Sequence, residues 1–264
     1  MSANRDGASR FLSCLATYEH GVEDASEFAE SFVRLAPTLG LSPGRILLDG
    51  KHRTFTPERF VAHVSASTSD VVTVYTRDPA SIEAHLYLRD RVDPKLPSLS
   101  EYVQRRCAAV VPDSARAALF ELASVLHRHF GLISVNVAGH VEHSYAEKEC
   151  VRIGVAGAWD AATVERIRWD ERHRLDARTK LIRLSPITVI GPSLWATLPP
   201  MPRFDPAPIV DDLPGAPGCK VITAWPTLCS PRDPDFLRGT RALRAWLWPY
   251  TIQNPADDPA NDPA

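Results

Sequence analysis

Apolar positions along the chain repeat with two periods. Phe28, Ala29, Phe32, Val33 and Ala36 recur at helical spacing, which predicts a helix over 24–36. Asp24 or Ser26 would cap it, and Pro37 and Gly40 would stop it. Ala115, Leu119, Leu122, Ala123, Leu126 and Phe130 make a broader stripe, predicting a helix from Ser114 to Phe130. Asp113 or Ser114 would cap that helix and Gly131 would end it. Thr56-Pro57 opens another helix to Ala66, with proline at its first position. Asp233-Pro234 opens a last one, with Phe236, Leu237, Leu243, Trp246 and Leu247 on its apolar face and Pro249 at its end.

The second period is two. Residues 10–18 alternate, and Arg45–Asp49 and His52–Phe55 flank Gly50-Lys51 as a hairpin would. Val71–Thr76 is rich in β-branched residues, and Glu83–Arg89 alternates. Leu132–Ala138, Val151–Val155, Leu181–Ile190 and Lys220–Ala224 complete the predicted strands. Residues 90–98, with Pro94 and Pro97, read as a loop, and Asp160 as the cap of a helix through Ile167. Pro186 interrupts its strand, which predicts an edge or a bulge there. The elements lack a regular βαβ beat. The expected class is therefore α+β, a mainly antiparallel sheet packed by helices. The order strand, long helix, strands occurs twice, so a single domain over 10–253 could comprise related halves, 10–112 and 113–253. Residues 1–9 are expected to be flexible.

Composition narrows this picture. The chain has 264 residues, 44% of them apolar and 23% charged, which suits a globular body with a real core. Of its 23 prolines, 16 follow residue 185, so the C-terminal segment is proline-rich. Prolines from 186 to 249 interleave with tryptophans and strand signals, and read as rigid turns in a packed segment. Residues 254–264 are polar, acidic and proline-punctuated, and are expected to form a disordered acidic tail.

A formal charge of −2 argues against a dedicated nucleic-acid binder. The stretch Arg166–Arg183 is locally basic. It reads either as a phosphate-facing patch or as a wet surface laced by Asp170, Glu171 and Asp176. No run approaches the ~18 apolar residues of a membrane span, and no signal-peptide core is present. Five widely spaced cysteines form no disulfide framework or zinc knuckle. A cytoplasmic protein is expected.

The scan for chemistry is sparse. There is no G-x-S-x-G elbow, Walker loop, G-x-G-x-x-G or H-E-x-x-H. His140, Glu142, His143 and Glu147 form the best metal candidate, since 140, 143 and 147 would share a helix face. The competing reading is solvated loop histidines, because the preceding strand and Gly139 suggest a turn. His127 and His129 flank Arg128 at a helix C-terminus, a favourable place for cations. A hydrolase or metal-dependent enzyme built on His140, His143 and Glu147 stays open as an alternative. So does a structural component of a secretion system.

The order of elements resembles bacterial immunity proteins of the type VI class and related polymorphic-toxin immunity families. The resemblance rests on a strand and helix over Arg10–Leu39 and a long helix running into Gly131 and a strand (Ala115–Ala138). Ile187-Thr-Val-Ile-Gly-Pro-Ser-Leu-Trp195 then leads from strand into short helix, and Lys220–Trp225 and Asp233–Trp248 close the domain. It covers most of residues 10–250. The resemblance implies a protein that is not an enzyme, needs no cofactor or metal, and binds a cognate protein toxin, encoded by an adjacent gene, stoichiometrically. Were the toxin a nuclease, acidic groups would complement its basic cleft. Asp205, Asp211, Asp212, Asp233 and Asp235 are the candidates, with Trp248 and Tyr250 as aromatic contacts. The alternative for the aspartates is turn and cap chemistry, above all for Asp233.

Overall fold

The structure, a computed structural model, describes residues 10–19, 25–48, 51–66, 71–76, 82–87, 98–107, 112–140 and 179–262. The fold is α+β. In chain order the elements are β1 (Arg10–Tyr18), α1 (Ser26–Leu35), β2 (Pro43–Leu48), β3 (Lys51–Thr54), α2 (Pro57–Ala66), β4 (Val71–Thr76), β5 (Ile82–Tyr87) and β6 (Ser98–Cys107). Then come α3 (Asp113–Phe130), β7 (Leu132–His140), β8 (Ile187–Ile190), α4 (Pro192–Trp195), β9 (Ile209–Asp212), β10 (Lys220–Thr223), α5 (Pro234–Gly239) and α6 (Arg241–Leu247).

The strands form one ten-stranded sheet in the order β3-β2-β4-β5-β6-β1-β7-β8-β10-β9. Its ladders are antiparallel throughout. Side chains alternate between two faces. On the first face, Ile46, Val74, Ala84, Ala16, Val135, Val189 and Val221 are buried against α1, α2 and α3. Phe28, Phe32, Phe60, Phe130 and Tyr18 fill that layer, with Tyr18 and Phe130 centroids 5.0 Å apart. On the second face, Ile190 and Ile222 pack with Leu194, Phe236, Leu243 and Leu247 from α4, α5 and α6. Ile133 joins this second layer because β7 shifts register against β1 between Thr17 and Tyr18, so the alternation is reset there.

Several local expectations change. Neither α1 nor α3 has a side-chain cap; Ala25 and Pro112 stand at the cap positions. Gly131 ends α3 in the left-handed region (φ 64°), as its sequence position requires. The helix expected from Asp233 to Leu247 is two short ones, broken at Gly239-Thr240. An added Cβ on Gly239 would lie 2.3 Å from Trp225, so the ring's close approach requires glycine there. Asp233 does cap α5, its carboxylate accepting from the Asp235 N–H at 3.0 Å.

Pro186 is not on an edge. It immediately precedes β8, an interior strand whose four residues are all buried between β7 and β10. A proline outside the ladder costs no ladder hydrogen bond, and its carbonyl accepts from Ala224 and Trp225. The strands β6 and β9 lie outside the expected set.

The expected disorder from residue 254 is also corrected for 254–262. Pro255–Asp257 and Pro259–Asn261 form 3-10 turns, and Asn254 and Pro259 are buried. The buried Arg244 and the half-buried Arg183 and Arg232 pair with Asp262 and Asp257 and hold this segment in place. The expectations for residues 1–9, for Val151–Val155 and for the helix from Asp160 lie outside the described residues.

Candidate interaction surface

The edge strand β9 organises one end of the molecule. Pro206 and Pro208 precede it, and a tight loop with Gly215 (φ 72°) and Gly218 (φ 83°) returns the chain into β10. Glycine suits both positions, since side chains disfavour that backbone region. Ser124 on α3 donates to the Gly215 carbonyl at 2.9 Å, and Arg128 donates to the same hydroxyl at 3.1 Å. The loop is thereby tied to α3.

Two concave regions flank this edge. On the first face, a groove of about 900 Å³ lies between α3 and β9–β10, with Arg116, Phe120, Glu121 and Asp211 along it. Arg116 stacks over the Phe120 ring (5.3 Å to the centroid) and donates to Thr223 at 2.9 Å. On the second face, a cleft of about 360 Å³ is walled by Phe204, Pro206, Pro208 and Trp225, with Asp205 and the start of β9 at its rim. Ile209 is 59% exposed, the single large apolar side chain so exposed among the described residues.

The candidate aspartates are not gathered into one patch. Asp211 and Asp212 are neighbours on β9, but Lys220 already pairs with Asp212 at 2.5 Å. Asp205 lies in the loop before β9, and Asp235 pairs with Arg238 on α5. Trp248 and Tyr250 form a 3-10 turn after α6, where the Tyr250 carbonyl accepts from Leu181 at 2.8 Å. Trp248 lines a separate, small cavity of about 30 Å³ with Arg183, Arg244 and Asp257.

That last region is the main buried charge cluster of the described residues. Arg244 is 7% exposed and pairs with Asp262, while donating to the carbonyls of Asp257 and Leu237 at 3.2 Å. Burial pulls its guanidinium pKa down, and the nearby Asp257 charge opposes that shift. Asp257 also holds Arg232 at 3.2 Å and Arg183 at 3.7 Å. The sequence hides this arrangement, because it joins the aspartates to arginines up to 74 positions away.

His129 and Arg128 both contact Glu27, each at 2.5 Å, linking the end of α3 to the start of α1. The hydrogen bonds from Arg128 and His129 hold the Glu27 carboxyl below its ordinary range. Cys14, Cys219 and Cys229 are buried thiols, and burial raises the Cys219 pKa to about 11. His140 ends β7; Glu142, His143, Glu147 and most of the basic stretch from Arg166 lie outside the described residues. Among the described residues no group of His, Cys, Asp and Glu could hold a metal ion. No described helix is long and apolar enough to cross a membrane.

No family model matches the chain, and no curated protein matches it in sequence. Among solved structures, the Pseudomonas aeruginosa T6SS protein PA0821 is similar over 92% of this chain and 74% of its own. The identity is 9% and the TM-score 0.47. No residue role is carried over from it.

Proposed function

We propose that this protein neutralises a cognate secreted bacterial toxin by stoichiometric binding, without catalysis. The reading rests on the order of elements. A strand and helix open the domain, α3 runs through Gly131 directly into β7, β8 leads into the short α4, and a strand and helices close it. That order is the one in which the chain resembles type VI immunity proteins. The contact surface in this reading is the proline-walled cleft beside Trp225. Its rigid apolar walls suit an anchoring side chain, and Asp205 at the rim suits a basic partner.

Co-expression with the product of the neighbouring gene tests the reading. The toxin is expected to kill alone, to be harmless beside this protein, and to co-purify with it at a fixed ratio. A neighbour that is harmless alone, or lethal despite this protein, sinks the idea. Asp205→Lys is expected to slow association with a basic toxin and flatten its salt dependence, measured by surface plasmon resonance. An unchanged association rate would move the contact surface elsewhere.

A further inference from the structure

The two ends of the sheet carry opposite charge. At one end, β3 reads Lys51-His52-Arg53-Thr54, and all four side chains are exposed. At the other, β9 reads Ile209-Val210-Asp211-Asp212, with Asp211, Asp212 and Ile209 exposed. Among the described residues no strand pairs with the outer side of either. No described carboxylate forms an ion pair with Lys51 or Arg53, and no described cation forms one with Asp211.

Strand direction makes these edges compatible. Neighbours alternate in direction along all ten strands, so β3 and β9 run oppositely. A second copy placed edge to edge in the same orientation brings its β3 antiparallel to β9 of the first, continuing the pattern. The faces also agree. Arg53 lies opposite Ile46, which is buried against the α1–α3 layer. Asp211 lies opposite Val221, buried in the same layer. Antiparallel pairing that keeps this layer on one side can therefore set Arg53 across from Asp211 and His52 across from Asp212.

We infer that the protein self-associates through its sheet edges, β3 of one copy adding to β9 of the next. The contact is head to tail, so an open assembly keeps one basic edge at one end and one acidic edge at the other, and it either grows further or closes as a ring. Charged residues on a free edge discourage indiscriminate strand pairing. Here they also select, because the basic edge repels its own kind and accepts the acidic one.

Sedimentation velocity on the full chain over a range of concentrations, at low and high salt, tests this. The expected result is species growing beyond a dimer as concentration rises at low salt, and dissolving at high salt. Arg53→Glu alone and Asp211→Arg alone should each abolish the association while leaving circular dichroism unchanged. Mixing the two variants should restore it, since each supplies an edge complementary to the other's. A monomer at every concentration overturns the inference, as does association that survives both substitutions or a mixture that stays monomeric. None of these readouts involves the toxin, so this inference and the immunity reading can fail separately.

Discussion

Gly191 shows how much one missing side chain matters here. It joins β8 to α4, and its N–H donates to the Ile133 carbonyl at 2.8 Å. A Cβ built on it would lie 1.7 Å from the Leu132 carbonyl oxygen, which is backbone and has little room to move. Gly191→Ala is therefore expected to destabilise by about 2–3 kcal/mol, the upper range for overpacking, measured by urea unfolding. A loss near zero would mean that this junction is looser than described. The Glu27 cluster is the opposite case, because its partners are about half exposed and solvent screens them. Its carboxyl pKa is lowered in the fold, so its stabilisation is present above the ordinary value of 4.5. It is lost as pH falls through the lower folded value. Glu27→Gln should cost less than about 1 kcal/mol at pH 7, and the difference from the parent should shrink below that window. A gap that widens in acid would contradict the assignment.

At the scale of elements, the C-terminal strap is the clearest case. Asp257 and Asp262 supply carboxylates to Arg183, Arg232 and Arg244, and the two aspartates are themselves largely buried. Removing the strap would leave Arg244 buried without its acidic partners. Truncation after Asn254 is expected to cost about 3 kcal/mol, the scale of breaking a buried pair, seen as a lower denaturation midpoint. A dispensable tail would leave the midpoint where it was. Strands β6 and β9 are the elements that resist reading from sequence. Ser98–Cys107 carries Glu101, Arg105 and Arg106, and Ile209–Asp212 is half aspartate, so neither alternates as a half-buried strand should. Both exist because a neighbour offers a ladder: β1 is paired with β6, and β10 with β9.

For the whole molecule, the sheet order places β1 between β6 and β7, so Arg10–Tyr18 links the ladder of β2 to β6 with that of β7 to β10. Residues buried on both faces cluster along β7, β8 and β10, where the α1–α3 layer and the α4–α6 layer oppose each other. Hydrogen exchange should follow this gradient. At high salt and low protein concentration, where the edges are free, amides of β7 and β8 are expected to exchange slowest, and those of β3 and β9 fastest, by mass spectrometry. Uniform protection across the sheet would show that the edges are covered, as by a second copy.

Much of the fold was legible in local pattern. The α3 stripe, Gly131, the 45–55 hairpin, the Asp233-Pro234 helix start and the α+β class all follow from short-range rules, since capping, periodicity and backbone freedom act within a few residues. The candidate surface was legible only as a list of acidic and aromatic residues. Which of them face solvent, which are consumed by Lys220 and Arg238, and that Ile209 and Trp225 stand beside Asp205 depend on segments distant in sequence. Local pattern set most of the elements, β6 and β9 excepted, and the residue types available to them. The tertiary structure alone decided that β3 and β9 are the two edges, that Pro186 lies outside its ladder, and that the acidic tail is a strap. Edges, ladders and buried ion pairs are properties of how distant segments meet, and local propensity carries no information about that.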